Sequence, residues 1–335
     1  MSSSSIRTFG AIVTVFLSFA VSAVAQTRSD AAATSASPTT SFPAWAYPWD
    51  PDFKVPPADD VLHRLSGSTA AFSWNQARDL FFSPDWHPED HPAMPAVVSR
   101  GRKPDARACG SCHRAEGTGG PENSSLAGLP AAYFVQQMAD FKSGARKFSG
   151  PQRSAVLLMT AAAKAMTDAE VQAAADYFSA LKPKRIIKVV ESDTVPKAYI
   201  ARLFCVKLAE GGTEPLGRRI IEMPDDVEQF ELRDTRSQFT AYVPVGSVAK
   251  GEALAKTGDA GRTIPCAICH GPDLKGAGPI PGIAGRSPSY VVRQLYDFKH
   301  GARAGSGSVL MKASVENLTV DDMIALAAYA ASLAP

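Results

Sequence analysis

The sequence lacks most of what would mark a nucleic-acid binder, a membrane protein or a disulfide scaffold. Its 35 basic and 33 acidic residues leave a formal charge of +2, which gives no reason to expect a polyanionic partner. After the N-terminal segment, no apolar run approaches the ~18 residues of a transmembrane helix. Aromatic residues make up only 8% and charged residues 20%, against 45% hydrophobic. That balance excludes wholesale disorder and supplies cores for two or three modules in 335 residues. Cysteine is scarce, with five in the chain. The neutral total hides an asymmetry: residues 26–91 carry 4 basic and 9 acidic side chains, and residues 92–184 carry 12 and 7.

Arg7 precedes a short apolar run from Ala11 to Ala20, followed by Ser22-Ala23-Val24-Ala25 and Gln26. A basic residue, a short hydrophobic stretch and a small-x-small site describe a secretory signal peptide over 1–25, so the expected location is the periplasm. Cleavage after Ala25 leaves no cysteine at the new terminus, which argues against a lipid anchor.

Four of the five cysteines fall in two pentads, Cys109-Gly-Ser-Cys112-His113 and Cys266-Ala-Ile-Cys269-His270. C-x-x-C-H is the attachment pattern of c-type haem: two thiols add to the two vinyl groups of one porphyrin, and the adjacent histidine meets the iron. Zinc would need two further ligands with their own spacing. A redox disulfide lacks a βαβ setting, and a structural disulfide would close too small a loop to gain much. Two covalently attached haem c groups are therefore expected.

The chain also repeats. An offset of 157 places Cys109 on Cys266, Tyr133 on Tyr290, and Asp140-Phe-Lys-Ser-Gly-Ala-Arg146 on Asp297-Phe-Lys-His-Gly-Ala-Arg303. The second copy is then five residues shorter, and Met159 falls on Met311 and Thr167 on Thr319. Such a repeat decides the fold class. Phe134, Met138 and Phe141 form one helical stripe, as do Val171, Ala175 and Phe178. Thr167 with Glu170, and Thr319 with Asp322, read as helix capping boxes. Met159 and Met311, placed in matching loops, are the expected sixth iron ligands opposite His113 and His270, which would raise the reduction potential. His63, His87, His91 and His300 compete for that role but have no counterpart between copies.

These motifs resemble the two-haem class I cytochromes c of the c-four type, over roughly 92–184 and 246–335. The resemblance implies a carbonyl acceptor for the proximal imidazole at Pro281, where the first copy has Ser124, and hence haems of unequal potential. It also implies haem contacts for Tyr133, Tyr290, Arg146 and Arg303. The expected fold is mainly α, two class I cytochrome c helical domains in tandem with a small β-rich inter-domain insertion. The segments are 1–25 signal peptide, 26–91 flexible acidic arm and extension, 92–184 haem domain 1, 185–245 insertion and 246–335 haem domain 2.

Within the insertion, 185–190, 201–208, 219–222 and 238–243 read as strands. Cys205 lies there as a buried small hydrophobe, with iron ligation as the alternative. The arm, through Trp74, Trp86, His87 and His91, is expected to dock on the oppositely charged first haem domain. The function expected is single-electron transfer between periplasmic donor and acceptor proteins, with no catalytic residue and no nucleic-acid partner. The alternatives are a cytochrome subunit docked on a dehydrogenase or oxidase, and a haem enzyme such as a thiosulfate-oxidising protein.

Overall fold

The computed structural model describes residues 42–150 and 154–335. The signal segment expected at 1–25 lies outside the described residues.

Short helices α1 (Trp74–Arg78) and α2 (Ala96–Ser99) precede the first pentad, which itself forms α3 (Cys109–His113). Helices α4 (Ala131–Ser143), α5 (Ser154–Ala165) and α6 (Asp168–Ala180) complete the first copy. Thr167 caps α6 as its sequence implies. Its hydroxyl accepts from the Glu170 amide at 3.2 Å while the Glu170 carboxylate accepts from the Thr167 amide at 2.8 Å. The stripe on α4 packs on α6: Phe134 and Met138 are buried, and Phe134 stacks on Phe178 with ring centroids 6.0 Å apart. Met166 is core, as its mismatch between the copies implies.

The second copy comprises α8 (Ser247–Thr257), α9 (Cys266–His270), α10 (Pro288–Lys299), α11 (Val309–Val315) and α12 (Val320–Ser332). Helix α12 carries the small-residue face that lets a neighbour approach closely, and Gly251 of α8 takes up that space. A Cβ on Gly251 would stand 2.0 Å from the Ala325 carbonyl oxygen. The counterpart of α8 in the first copy shrinks to the four residues of α2.

Between the copies lie strands β1 (Ile187–Glu191), β2 (Thr194–Pro196), β3 (Ala198–Ala201), β4 (Phe204–Lys207), β5 (Thr213–Pro215), β6 (Ile221–Pro224) and β7 (Phe239–Val243), with helix α7 (Val227–Glu231) before β7. The four strands read from the sequence correspond to β1, β4, β6 and β7. Strand β7 is central, parallel to β1 and antiparallel to β6; β3–β4 and β2–β5 are separate antiparallel pairs. Phe204, Phe230 and Phe239 form its aromatic core. A hairpin, β8 (Gly276–Ala277) and β9 (Ile280–Pro281), follows the second pentad.

Residues 42–50 of the N-terminal extension are largely packed, where the composition of 26–60 reads as a flexible arm, while residues 54–62 are exposed. Ala46 is fully buried in the core of the second copy, and the Arg293 guanidinium donates to its carbonyl at 2.8 Å. Trp86 is buried against Leu232 of the insertion and donates Nε1–H to the Leu232 carbonyl at 2.7 Å. The extension does meet the first copy, through Ser83 on the Ser99 carbonyl and Leu80 accepting from Ala108. It is clasped equally to the insertion, because Asp90 binds both Lys184 and Arg236.

Candidate functional site

Each pentad folds as a single helical turn, which places positions i, i+3 and i+4 side by side. Both cysteines and the histidine of a pentad therefore share one face. None of these four cysteines is in a disulfide, and Cys109, Cys112, His113, Cys266, Cys269 and His270 border one continuous cavity of about 870 Å³. Burial pushes the Cys109 thiol up to about 12 and the Cys266 thiol to about 11. Among the described residues, no group of three or more His, Cys, Asp or Glu side chains could hold a metal ion by itself.

The two imidazoles are held alike. His113 Nδ1 lies 2.8 Å from the Ser124 carbonyl oxygen, and His270 Nδ1 lies 2.8 Å from that of Pro281. With Nδ1–H donated to a carbonyl, Nε2 is left as the free lone pair that a metal needs. The side-chain difference between Ser124 and Pro281 therefore does not alter this bond, since the acceptor is main chain in both copies. Burial lowers the basicity of both rings. At His113 the Glu122 carboxylate opposes that effect, and at His270 the Arg286 guanidinium adds to it.

Met159 and Met311 also border the cavity, half-buried, but on helices α5 and α11 rather than in the expected loops. In the first copy the Ala161-Ala-Ala163 run favours helix up to the capped turn at Thr167. The competing histidines all lie outside the cavity lining. His63 pairs with Glu228, His87 with Asp234 and His91 with Asp85, each at 3.0 Å, and His300 Nδ1 lies 2.9 Å from the Tyr296 carbonyl. Cys205 lies on β4, borders a smaller cavity of about 390 Å³, and does not reach the large one. That position fits the reading of Cys205 as a small hydrophobe packed on the insertion's own cluster.

Tyr133, Tyr290, Arg146 and Arg303 line the same cavity where the two copies meet. Arg146 donates to Tyr290 Oη and Gln294 Oε1, both at 3.0 Å, and Arg303 donates to Tyr133 Oη at 3.2 Å and Gln137 Oε1 at 2.6 Å. Their acceptors are neutral, and among the described residues neither arginine has a carboxylate in ion-pair range. Paired thiols, a free imidazole nitrogen, a thioether on the same cavity, apolar walls and unneutralised guanidinium groups fit a haem, with its vinyl groups, iron and anionic propionates. Sequence reasoning missed Glu122, Arg286 and Arg293. Their signal was available as charge mismatches between the copies, opposite Pro279, Leu129 and Gln136.

Comparison with known proteins agrees with this site. The cytochrome c family model matches residues 98–182. The thiosulfate dehydrogenase electron acceptor of Thiomonas intermedia is 29% identical over 68% of this chain and 80% of its own length. Cytochrome c4 of Azotobacter vinelandii is 26% identical over 71% of this chain and 89% of its own. The cytochrome subunit of sulfide dehydrogenase from Chlorobaculum tepidum is 31% identical over 26% of this chain and 88% of its own. With its two pentads, its duplicated helical copies and these relatives, the chain belongs to the cytochrome c family as a two-haem electron-transfer member similar to cytochrome c4, carrying two covalently attached haem c groups.

Proposed function

We propose that the chain is a periplasmic carrier that passes single electrons between redox proteins through two haems, ligated by His113 and Met159 in the first copy and by His270 and Met311 in the second. The observation that carries this reading is the duplicated His and Met set on one cavity, with each imidazole turned by the same 2.8 Å carbonyl bond. The haem supplies reversible one-electron chemistry. The protein holds it, fixes the imidazole tautomer, excludes water with apolar side chains and sets the local charge. An iron with both axial positions filled offers no place for a substrate, so no residue here is assigned to bond making or breaking. Export to the periplasm is inferred from the signal-like sequence of residues 1–25. Among the described residues, no helix is long and apolar enough to cross a membrane.

A second reading, that the chain is the cytochrome subunit of a dehydrogenase complex, draws support from two relatives, one named as a thiosulfate dehydrogenase electron acceptor and one as a sulfide dehydrogenase subunit. Absorption spectra of the haem-loaded protein, oxidised and reduced, with and without carbon monoxide, test the carrier reading. Two haems per chain and no response to carbon monoxide are expected. A haem that readily binds carbon monoxide would overturn it in favour of an enzyme or sensor. Co-purification of a dehydrogenase at fixed stoichiometry would favour the second reading.

A further inference from the structure

The two haem sites are written on one sequence pattern, and buried charges break the match at Glu122, Arg286 and Arg293, the last standing opposite Gln136. At the offset of 157 that superposes the pentads, Glu122 falls on Pro279 and Leu129 on Arg286, and all four residues line the shared cavity. The first site thus holds a carboxylate where the second has proline. The second holds a guanidinium where the first has leucine.

Neither charge is fully neutralised. The Glu122 side chain is 7% exposed and stands 3.6 Å from Arg233, and its Oε2 has no hydrogen-bond partner. Arg286 donates Nε–H to the Gly282 carbonyl at 2.6 Å and Nη1–H to the Ser125 carbonyl, and no carboxylate among the described residues pairs with it. Each charge lies beside the carbonyl that holds the histidine of its own copy: Glu122 is two residues from Ser124, which accepts from His113, and Arg286 is bonded to Gly282, next to Pro281, which accepts from His270.

We propose that Glu122 and Arg286 set a charge gradient along the cavity that draws the electron from the first haem toward the second. This rests on the reading that both haems are His/Met-ligated. A ferric haem carries one more positive charge than a ferrous one. A neighbouring carboxylate therefore favours the oxidised state and lowers the potential, and a guanidinium does the reverse. Inside an apolar cavity these fields are weakly screened. The axial hydrogen bonds are matched at 2.8 Å, so the usual tuning of the proximal imidazole does not separate the sites. Burial of the pentads works in the opposite sense, because Ser111 is 1% exposed and its counterpart Ile268 72%. The charge contribution is therefore read by removing each charge, not from the wild-type difference.

The test is a spectroelectrochemical titration of the haem-loaded full chain. Glu122→Gln, which is isosteric, should raise the first haem's midpoint. Arg286→Leu, which copies Leu129, should lower the second's. Each variant should shift the electron-sharing equilibrium about threefold to tenfold, tenfold being roughly 59 mV for one electron. Arg286→Lys should stay near wild type, which a purely structural role for the guanidinium would not predict. Met311→His, by changing one axial ligand, marks which midpoint belongs to the second haem. Unmoved midpoints in both charge variants, or a lysine variant that behaves like leucine, would overturn the proposal. A Met311→His protein with both midpoints unmoved would instead overturn the ligation reading beneath it.

Discussion

Arg146 and Arg303, the matching arginines of the two copies, form an antiparallel β-bridge with each other. The main chain on either side is bonded symmetrically: the Lys147 amide donates to the Ala302 carbonyl at 2.7 Å, and the Ala304 amide to the Ala145 carbonyl at 2.8 Å. Each guanidinium then crosses to the other copy's tyrosine and glutamine, and lies over its own copy's phenylalanine, Arg146 at 4.5 Å from Phe141 and Arg303 at 4.0 Å from Phe298. The sequence repeat is thus also the symmetry of the interface.

Removing one of these arginines should loosen the junction. Arg146→Ala leaves Tyr290 without its donor and deprives Gln294 of one of two. A loss of about 2–3 kcal/mol is expected, the scale of hydrogen bonds from a charged donor. Arg303→Ala should cost a similar amount. Because the two share Gln137 and Gln294, the double variant should lose less than the two single losses added together. Denaturant unfolding of the haem-loaded variants measures all three.

Pro281→Ser should be nearly silent at the second haem. The first copy already has Ser124 in this place, and its carbonyl accepts from the imidazole at the same 2.8 Å. The expected result is an unshifted Nδ1–H resonance for His270 and an unshifted midpoint, both readable by NMR and potentiometry. A large shift would mean that the proline ring, rather than its carbonyl, governs the site.

Acid should loosen the extension and the α6 cap of the first copy over the same pH range. Hydrogen bonds from Lys184 and Arg236 hold the Asp90 carboxyl down at about 2, and those from Arg102 and the Thr167 cap hold Glu170 at about 2. Both carboxyls sit below their unfolded values, so their contribution is complete above pH ~5 and fades as pH falls toward ~2. Limited proteolysis over that range should cut the 42–91 segment progressively faster. Asp90→Asn should be cut fast at neutral pH and respond less to acid.

Trp86→Ala should detach the same segment from the insertion. The indole is 1% exposed, packs edge-on to Phe72 at 4.8 Å and donates to Leu232. A large-to-small change at such a position costs about 3–5 kcal/mol. Thermal unfolding should show the loss, and Trp86→Phe should recover most of the packing but not the hydrogen bond.

How far the sequence carried depended on whether the signal was local. The pentads, the capping boxes at Thr167 and Thr319 and the helical stripe through Phe134 and Met138 are set by neighbours within one or two turns, and they fold as read. The β-rich character of the insertion was legible in its Val, Ile and Phe runs. The parallel pairing of β1 with β7 was not, because those strands are separated by most of the insertion. Ser, Ala, Thr and Pro made 26–60 resemble a linker, yet Ala46 and Tyr47 anchor it to a distant core; Trp86, expected to dock on the first copy, packs on the insertion instead. The two methionines proposed as axial ligands were singled out by symmetry alone, and both border the cavity. Their helical setting escaped because the glycine-arginine turn before them suggested that the loop continued.

The single cavity shared by the two copies has a kinetic consequence. Electron exchange between the two sites takes place within one folded chain, behind the junction sealed by Arg146 and Arg303, and needs no encounter between molecules. Its rate should therefore be first order, unchanged by dilution and largely indifferent to ionic strength. Collisions with outside partners will slow as protein or partner becomes scarce. At low concentration the chain thus becomes a two-electron reservoir that equilibrates internally between infrequent meetings.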